Sequence, residues 1–225
     1  MNANGASPSP QGAAADGRPR VHISNHPLLL HKLTLIRRKE RSTQEFRSLF
    51  REISFYLGYE ATRHLTTGSV KVDMGPSGSC RGKKISQQVA IVPVLRGGLG
   101  MTEAFLELLP FAPVYHIGMY RNPGSHIPVQ YYNRLPKGQP ADVALVLDPI
   151  IASSKTICAV VSILKKWGAK QVTVVTLVAS GCGLDALLAQ HPDVTVNLAS
   201  IDELAENGLD VVPGIGDAGD RLYLG

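Results

Sequence analysis

One stretch, Ala144-Leu145-Val146-Leu147-Asp148-Pro149-Ile150-Ile151-Ala152-Ser153-Ser154-Lys155-Thr156, limits the folds open to this chain more than any other. With Val143 it opens on a continuous apolar run, short enough to be a strand buried on both faces. A single acid, Asp148, follows at the strand end, where an open α/β sheet places its ligands. Small and hydroxylic residues come next, and then Val160, Val161, Ile163 and Leu164 form the apolar face of a helix before Lys165-Lys166. A strand that turns through small residues into a helix N-terminus is an anion site. Free backbone N–H groups and the helix dipole both point at the ligand there. The nearest generic rival is a Walker A loop, which needs glycines where this chain has Pro149 and Ser154.

The same alternation extends along the chain. Val89 to Leu95, Val114 to Met119, Val172 to Val178 and Val194 to Ala199 read as strands, and Thr102 to Leu109 and Leu184 to Gln190 as helices. Strands alternating with helices predict an α/β fold, a doubly wound and mainly parallel sheet flanked by helices. Before the sheet, Leu29, Leu33 and Ile36 recur at helical spacing. Ser42 then starts a second helix with Glu45 three residues on, and Phe46, Leu49, Phe50, Ile53 and Leu57 make one stripe along it. That stripe, with the helix before it, supplies more apolar surface than the sheet needs, which predicts an assembly through N-terminal elements. A short hairpin is expected at Ser69 to Met74. The proline-rich residues 121–141 form a long loop or projecting hairpin, a length that in compact domains usually serves function.

Composition bounds the rest. A chain of 225 residues suits one domain, placed at residues 21–225 behind a disordered tail, residues 1–20, of Ala, Gly, Ser, Pro and Asn. No apolar run approaches the roughly 20 residues that span a bilayer, and no signal peptide is expected, so no membrane partner is. Cys80, Cys158 and Cys182 are scattered without a CxxC, which predicts a reducing compartment and hence the cytoplasm. Residues 1–84 carry 14 Lys/Arg and 6 Asp/Glu, a net +8, against −3 for the remainder. No basic stripe is interleaved with exposed aromatics, which argues against nucleic acid. A positive rim would equally attract a small anion.

Two further groups fit the anion site. Arg96 stands at a strand end before Gly97-Gly98, where glycines allow close backbone approach and the guanidinium offers a fork to phosphate. The alternative is a surface turn with a solvated Arg. The tail Val212-Pro213-Gly214-Ile215-Gly216-Asp217-Ala218-Gly219-Asp220 is either an irregular turn or a backbone surface for a planar ring, with Asp217 near a cation or ribose.

These residues also carry a resemblance. His26-Pro27-Leu28, Tyr59-Glu60-Ala61-Thr62, Val92 to Met101, Gly118-Met119-Tyr120-Arg121-Asn122, Leu147-Asp148-Pro149 and Pro213 to Asp220 resemble, in order and spacing, the uracil phosphoribosyltransferases of the type I phosphoribosyltransferase family. The likeness covers nearly all of residues 22–225. It implies that uracil reacts with 5-phosphoribosyl 1-diphosphate (PRPP) to give UMP and diphosphate, in pyrimidine salvage. It implies catalytic roles for Arg96, Arg121, Asp148 and Asp217. Arg96 and Arg121 would contact PRPP. Asp148, Pro149, Ile150, Ile151, Ala152, Ser153, Ser154, Lys155 and Thr156 would hold its ribose and 5′-phosphate. Val211, Gly216 and Ala218 would bind uracil by main chain beside Asp217. Mg²⁺ is implied as cofactor, bound mainly through PRPP, together with a homodimer or homotetramer and activation by GTP. Two positions depart from the family pattern. The phosphate loop usually reads Thr-Gly-Gly-Ser where this chain has Ser153-Ser154-Lys155-Thr156, and Asp210 replaces an aromatic. A phosphoribosyltransferase fold kept as a regulatory or scaffold protein without turnover is the second reading.

Overall fold

The structure is a computed structural model that describes residues 17–122, 124–125 and 127–224. Residues 1–16 of the expected tail lie outside the described residues. Arg18, in the rest of it, pairs with Asp185 at 2.7 Å.

The elements run β1 (Val21–Ile23), α1 (Pro27–Ile36), α2 (Thr43–Ala61), β2 (Thr67–Asp73), β3 (Ser79–Ile85), β4 (Val89–Leu95), α3 (Leu99–Leu108), β5 (Ile117–Arg121), β6 (Pro128–Asn133) and β7 (Val143–Leu147). Then come β8 (Ile150–Ile151), α4 (Lys155–Trp167), β9 (Gln171–Ser180), α5 (Gly181–Gln190), β10 (Thr195–Leu204), β11 (Val211–Val212) and α6 (Ala218–Tyr223). The main sheet has the order β1-β10-β9-β7-β4-β5-β6, with β8 and β11 on short branches. Its pairings are parallel except β5 with β6 and β10 with β11. This is the doubly wound, mainly parallel sheet that the alternation predicts.

Successive residues of a strand point to opposite faces, so a strand buried on both sides feeds two cores. Val143, Leu145 and Leu147 pack with Phe46, Phe50, Ile53 and Leu57 of α2. Ala144 and Val146 pack with Val160, Val161 and Leu164 of α4. The α2 stripe is oriented by a complete capping box, in which the Glu45 N–H donates to Ser42 Oγ at 3.3 Å and the Ser42 N–H to Glu45 Oε2 at 3.1 Å. Four of its five large side chains, Phe46, Phe50, Ile53 and Leu57, are at most 1% exposed, and Leu49 is half-buried. At about 1.5–3 kcal/mol each, their burial is comparable with the net stability of a whole domain. Most of the stripe is therefore consumed inside the chain, and the exposed apolar surface of the N-terminal helices lies instead on α1, at Leu28 and Leu30. Gly58 lies within α2 because a Cβ there would come 2.9 Å from Leu108 Cδ1 on α3.

Several boundaries differ from the sequence reading. The hairpin is longer than Ser69 to Met74: β2 and β3 are seven residues each, and only Gly82 among them is even partly buried. The strand expected at Val114 starts at Ile117, Val114 making an isolated bridge to Ile91. Helix α3 begins at Leu99, so the turn after β4 is only Arg96-Gly97-Gly98. The C-terminal tail, Val212 to Asp220, begins in β11 and ends in α6, with residues 213–217 irregular between them.

Candidate active site at the switch point of the sheet

The chain leaves β4 through α3 to reach β5 on one side, and later returns to β7 on the other side of β4. Strand order reverses between β4 and β7, and a crevice opens at their carboxyl ends. Ligands of open α/β sheets bind at such a point. Arg96 is the first residue after β4, and Asp148 the first after β7.

The two turns fit together closely. A Cβ at Gly98 would lie 2.1 Å from the Leu147 carbonyl oxygen, and one at Gly97 would lie 2.8 Å from Pro149 Cγ. These glycines thus serve the approach of one strand end to the other, a use that the sequence did not suggest. Pro149 is fixed in turn, its carbonyl accepting from the Leu177 N–H at 3.0 Å and the Val178 N–H at 3.2 Å. A cleft of about 190 Å³ remains, lined by Arg96, Gly97, Asp148, Pro149, Ile150, Asp217, Ala218 and Gly219. Residues more than a hundred positions apart converge there.

The charges in and beside the cleft are matched. Burial pushes the Asp148 carboxyl up to about 7, although the Arg121 guanidinium nearby and the Ile150 N–H both favour its ionised form. Arg121 ends β5 and donates to the Leu209 carbonyl at 3.3 Å. Arg96 Nη2 contacts Asp220 Oδ1 at 2.9 Å, both side chains being half exposed. Asp217 is the N-cap of α6, its Oδ1 accepting from the Asp220 N–H at 2.8 Å. The sequence reading assigned no role to Asp220. It lies at the end of the glycine-rich tail, four residues from Gly216, and that proximity was the available signal.

The anion loop divides. Ile151 and Ala152 are buried, and the Ala152 carbonyl accepts from Ser180 Oγ at 2.6 Å, so their side chains are structural. Ser153 and Thr156 are half-buried, and Lys155 is exposed as the first residue of α4. Ser154 is the N-cap with φ 58° and ψ −4°, the single described non-glycine residue with positive φ. It adopts the left-handed backbone that a glycine at this position would take freely. Val211 is buried on β11, whereas Gly216, with φ 72°, is exposed beside Asp217. These last two positions flank the cleft rather than line it.

A larger cleft of about 540 Å³ lies at the opposite end of the strands, among Val89, Leu108, Leu109, Phe111, Tyr115 and Ala141. Lys84 is its single charged lining residue. No charges converge there, so volume does not identify the site for an anionic substrate.

The uracil phosphoribosyltransferase family model matches residues 23–225. A uracil phosphoribosyltransferase of Roseiflexus sp. (strain RS-1) is 45% identical over 204 residues, covering 91% of this chain and 98% of that protein. One from Thermosipho melanesiensis is 42% identical over 205 residues, with the same coverage. The solved structure of the AQ2163 protein from Aquifex aeolicus superposes with a TM-score of 0.85 at 29% identity, over 90% of this chain and 97% of that one. With Arg96, Asp148 and the glycine-rich tail meeting at the switch point, and relatives matching over 91% of its length, the chain belongs to the uracil phosphoribosyltransferase family.

Proposed function

We infer that the chain transfers the 5-phosphoribosyl group of PRPP to uracil, giving UMP and diphosphate. The observation that carries this reading is the meeting of Arg96, Asp148 and Asp217 in one cleft at the switch point of the sheet. In the reaction the bond from C1′ to the diphosphate oxygen breaks, and its electron pair leaves with diphosphate. Uracil N1 forms the new bond to C1′ and releases its proton. The sugar carbon becomes positive on the way, so charge stabilisation and alignment supply the rate.

Ionised Asp148 accepts hydrogen bonds from the ribose hydroxyls. Arg96 and Arg121 face the diphosphate. Arg96 must first leave Asp220, and an exposed pair of this kind is worth at most about 1 kcal/mol. The 5′-phosphate sits at the N-terminus of α4, where Ser153, Ser154 and Thr156 add hydroxyls and Lys155 a charge. Main-chain groups of Val211, Gly216 and Ala218 read the uracil edge. The hairpin of β5 and β6 excludes water, which would otherwise compete with uracil.

Among the described residues no three His, Cys, Asp or Glu side chains gather as a metal cage. Two carboxylates, Asp148 and Asp217, do reach the cleft. That donor set suits a Mg²⁺ held largely by substrate phosphates, since Mg²⁺ keeps most of its waters and takes one or two carboxylates. Bound there, Mg²⁺ would neutralise the leaving diphosphate.

We further propose a homodimer or homotetramer, activation by GTP and a cytoplasmic location. Support for assembly comes from the β2–β3 ribbon, which exposes Val70, Val72 and Met74 and is too small to be stable alone. No described helix is long and apolar enough to cross a membrane.

The reading is tested by following labelled uracil into UMP with PRPP, with and without Mg²⁺. Product that requires PRPP and is lost in Arg96→Ala supports it. Absence of UMP, together with no calorimetric PRPP binding, would overturn it in favour of a scaffold without turnover.

A further inference from the structure

The segment that carries Gly216 and Ala218 has little regular structure of its own. Between the two-residue β11 and α6 it has no ladder to hold it. Its position depends instead on two arginines that lie outside the cleft.

The first anchor is Arg37, directly after α1. It makes a forked pair with Asp202 on β10, Nη1 to Oδ2 and Nη2 to Oδ1 each at 2.9 Å. Asp202 Oδ2 also accepts from the Gly214 N–H at 2.9 Å, and Oδ1 from Ser200 Oγ at 2.8 Å. Arg37 Nη1 reaches the Gly214 carbonyl at 3.5 Å. The Asp202 side chain is only 2% exposed. Burial alone would raise its pKa, but the Arg37 and Ser200 bonds outweigh that and hold the carboxyl below its usual range. A buried carboxylate with this many donors has one geometry, so Asp202 fixes the Gly214 N–H while Arg37 holds its carbonyl.

The second anchor is Arg221 on α6. Its Nη1 donates to the Ile215 carbonyl at 2.7 Å and the Ile36 carbonyl at 3.0 Å, and its Nη2 to the Arg38 carbonyl at 2.9 Å. The guanidinium lies 4.0 Å over the Phe46 ring. Consecutive residues 214 and 215 are thus tied to the C-terminal end of α1. Gly216 follows them with its backbone exposed, and a Cβ there would meet Arg221 Cδ at 3.1 Å. Main-chain recognition has no side-chain rotamer to adjust, so its fit depends on how well the backbone is pre-positioned.

We propose that the Arg37–Asp202 pair and Arg221 are positioning residues for base recognition. They set the 214–216 backbone and thereby uracil affinity, while leaving the PRPP half of the site alone. The proposal rests on the reading of this segment as the uracil subsite. Neither arginine lines the cleft.

The test uses the full chain and three variants. Arg37→Lys keeps the charge and loses the fork, Arg221→Lys does the same at the second anchor, and Ser200→Ala removes a single bond to Asp202 should the first two fold poorly. Loss of one charge-assisted bond predicts a KM for uracil raised about tenfold in the lysine variants and about two- to threefold in Ser200→Ala. The KM for PRPP should stay within about twofold, because its contacts are elsewhere. Hydrogen exchange should show faster exchange of the Gly214 amide in the same variants, with β4 and β7 unchanged. A folded Arg37→Lys chain with unaltered KM for uracil overturns the proposal. So does a parallel rise in both KM values, which marks a general structural role. A wild-type chain that binds PRPP but not uracil overturns the subsite reading and the proposal with it. Normal uracil binding by the wild type with an unaltered KM for uracil in the folded variants overturns the positioning role alone and leaves the subsite reading standing.

Discussion

Asp148 is expected to make the chain less stable at the pH where it is needed. Its carboxyl titrates at about 7 in the folded chain, against 3.8 for an unperturbed Asp. Because the folded-state value is raised, the folded chain binds the proton more tightly than the unfolded chain. The contribution of Asp148 to stability is then greatest below pH 4 and falls as pH rises to about 7. Each pH unit in that window is worth up to about 1.36 kcal/mol, so passage from pH 5 to 7 costs up to about 2.7 kcal/mol. Asp148 keeps some solvent contact, which brings the expected loss nearer 1–2 kcal/mol. The perturbation is Asp148→Asn, which has a similar shape and no charge to desolvate. All histidines are shared by the two proteins, so their titration cancels in the difference.

The assay is urea unfolding of both proteins at pH 5 and pH 8. At pH 8 the Asn variant should exceed the wild type by about 1–2 kcal/mol more than it does at pH 5. Its PRPP affinity should move the opposite way. A charge-assisted bond contributes about 1.5–3 kcal/mol, so calorimetry at pH 8 should find binding weaker by roughly ten- to a hundredfold. Stability curves that stay parallel within about 0.5 kcal/mol from pH 5 to 8 would refute the burial argument. Equal PRPP affinities would remove Asp148 from the site.

Four other outcomes are expected. Ser154→Gly relieves about 1–2 kcal/mol of left-handed strain and adds about 0.5–1 kcal/mol of chain entropy, so the variant should gain up to about 1 kcal/mol in denaturant unfolding. A clear loss would mean the buried hydroxyl matters more. Lys155→Ala should raise the KM for PRPP several-fold and leave that for uracil unchanged in steady-state kinetics. Phe50→Ala, at a fully buried site, should lose about 3–5 kcal/mol by urea unfolding. Asp220→Ala should leave Tm nearly unchanged while lowering the KM for PRPP, since it frees Arg96 from an exposed pair.

Much of this molecule was legible in its sequence where the signal is local. The two-faced burial of Val143 to Leu147, the α2 stripe and the Ser42–Glu45 box each follow from spacing within about a dozen residues. The strand-end placement of Asp148 and Arg96 follows from the same periodicity. Other features depend on distant partners and were hidden. Gly98 is small because Leu147, from another strand, passes against it. The left-handed backbone of Ser154 at the phosphate loop was hidden too, since a serine gives no local signal for positive φ. Asp202 carried the same signal as Asp148, an acid near the end of an apolar strand. Its meaning appears only with Arg37, 165 residues away.

The charge pattern of the cleft bears on turnover as well as binding. Both products, UMP and diphosphate, are anions, so cations that capture PRPP also retain what they make. In this chain the two arginines among them each have an acid nearby. Arg96 lies on Asp220, and Arg121 is close enough to Asp148 to favour its ionised form. On the proposed reaction, an arginine leaving diphosphate would return to a carboxylate rather than to an unpaired state, which would lower the cost of product release. Removing Asp220 should then tighten diphosphate along with PRPP. The variant with the lower KM for PRPP should also show stronger product inhibition by diphosphate and a lower kcat wherever release limits the cycle. Equal inhibition constants in Asp220→Ala and wild type would mean that Asp220 does not compete with the substrate for Arg96.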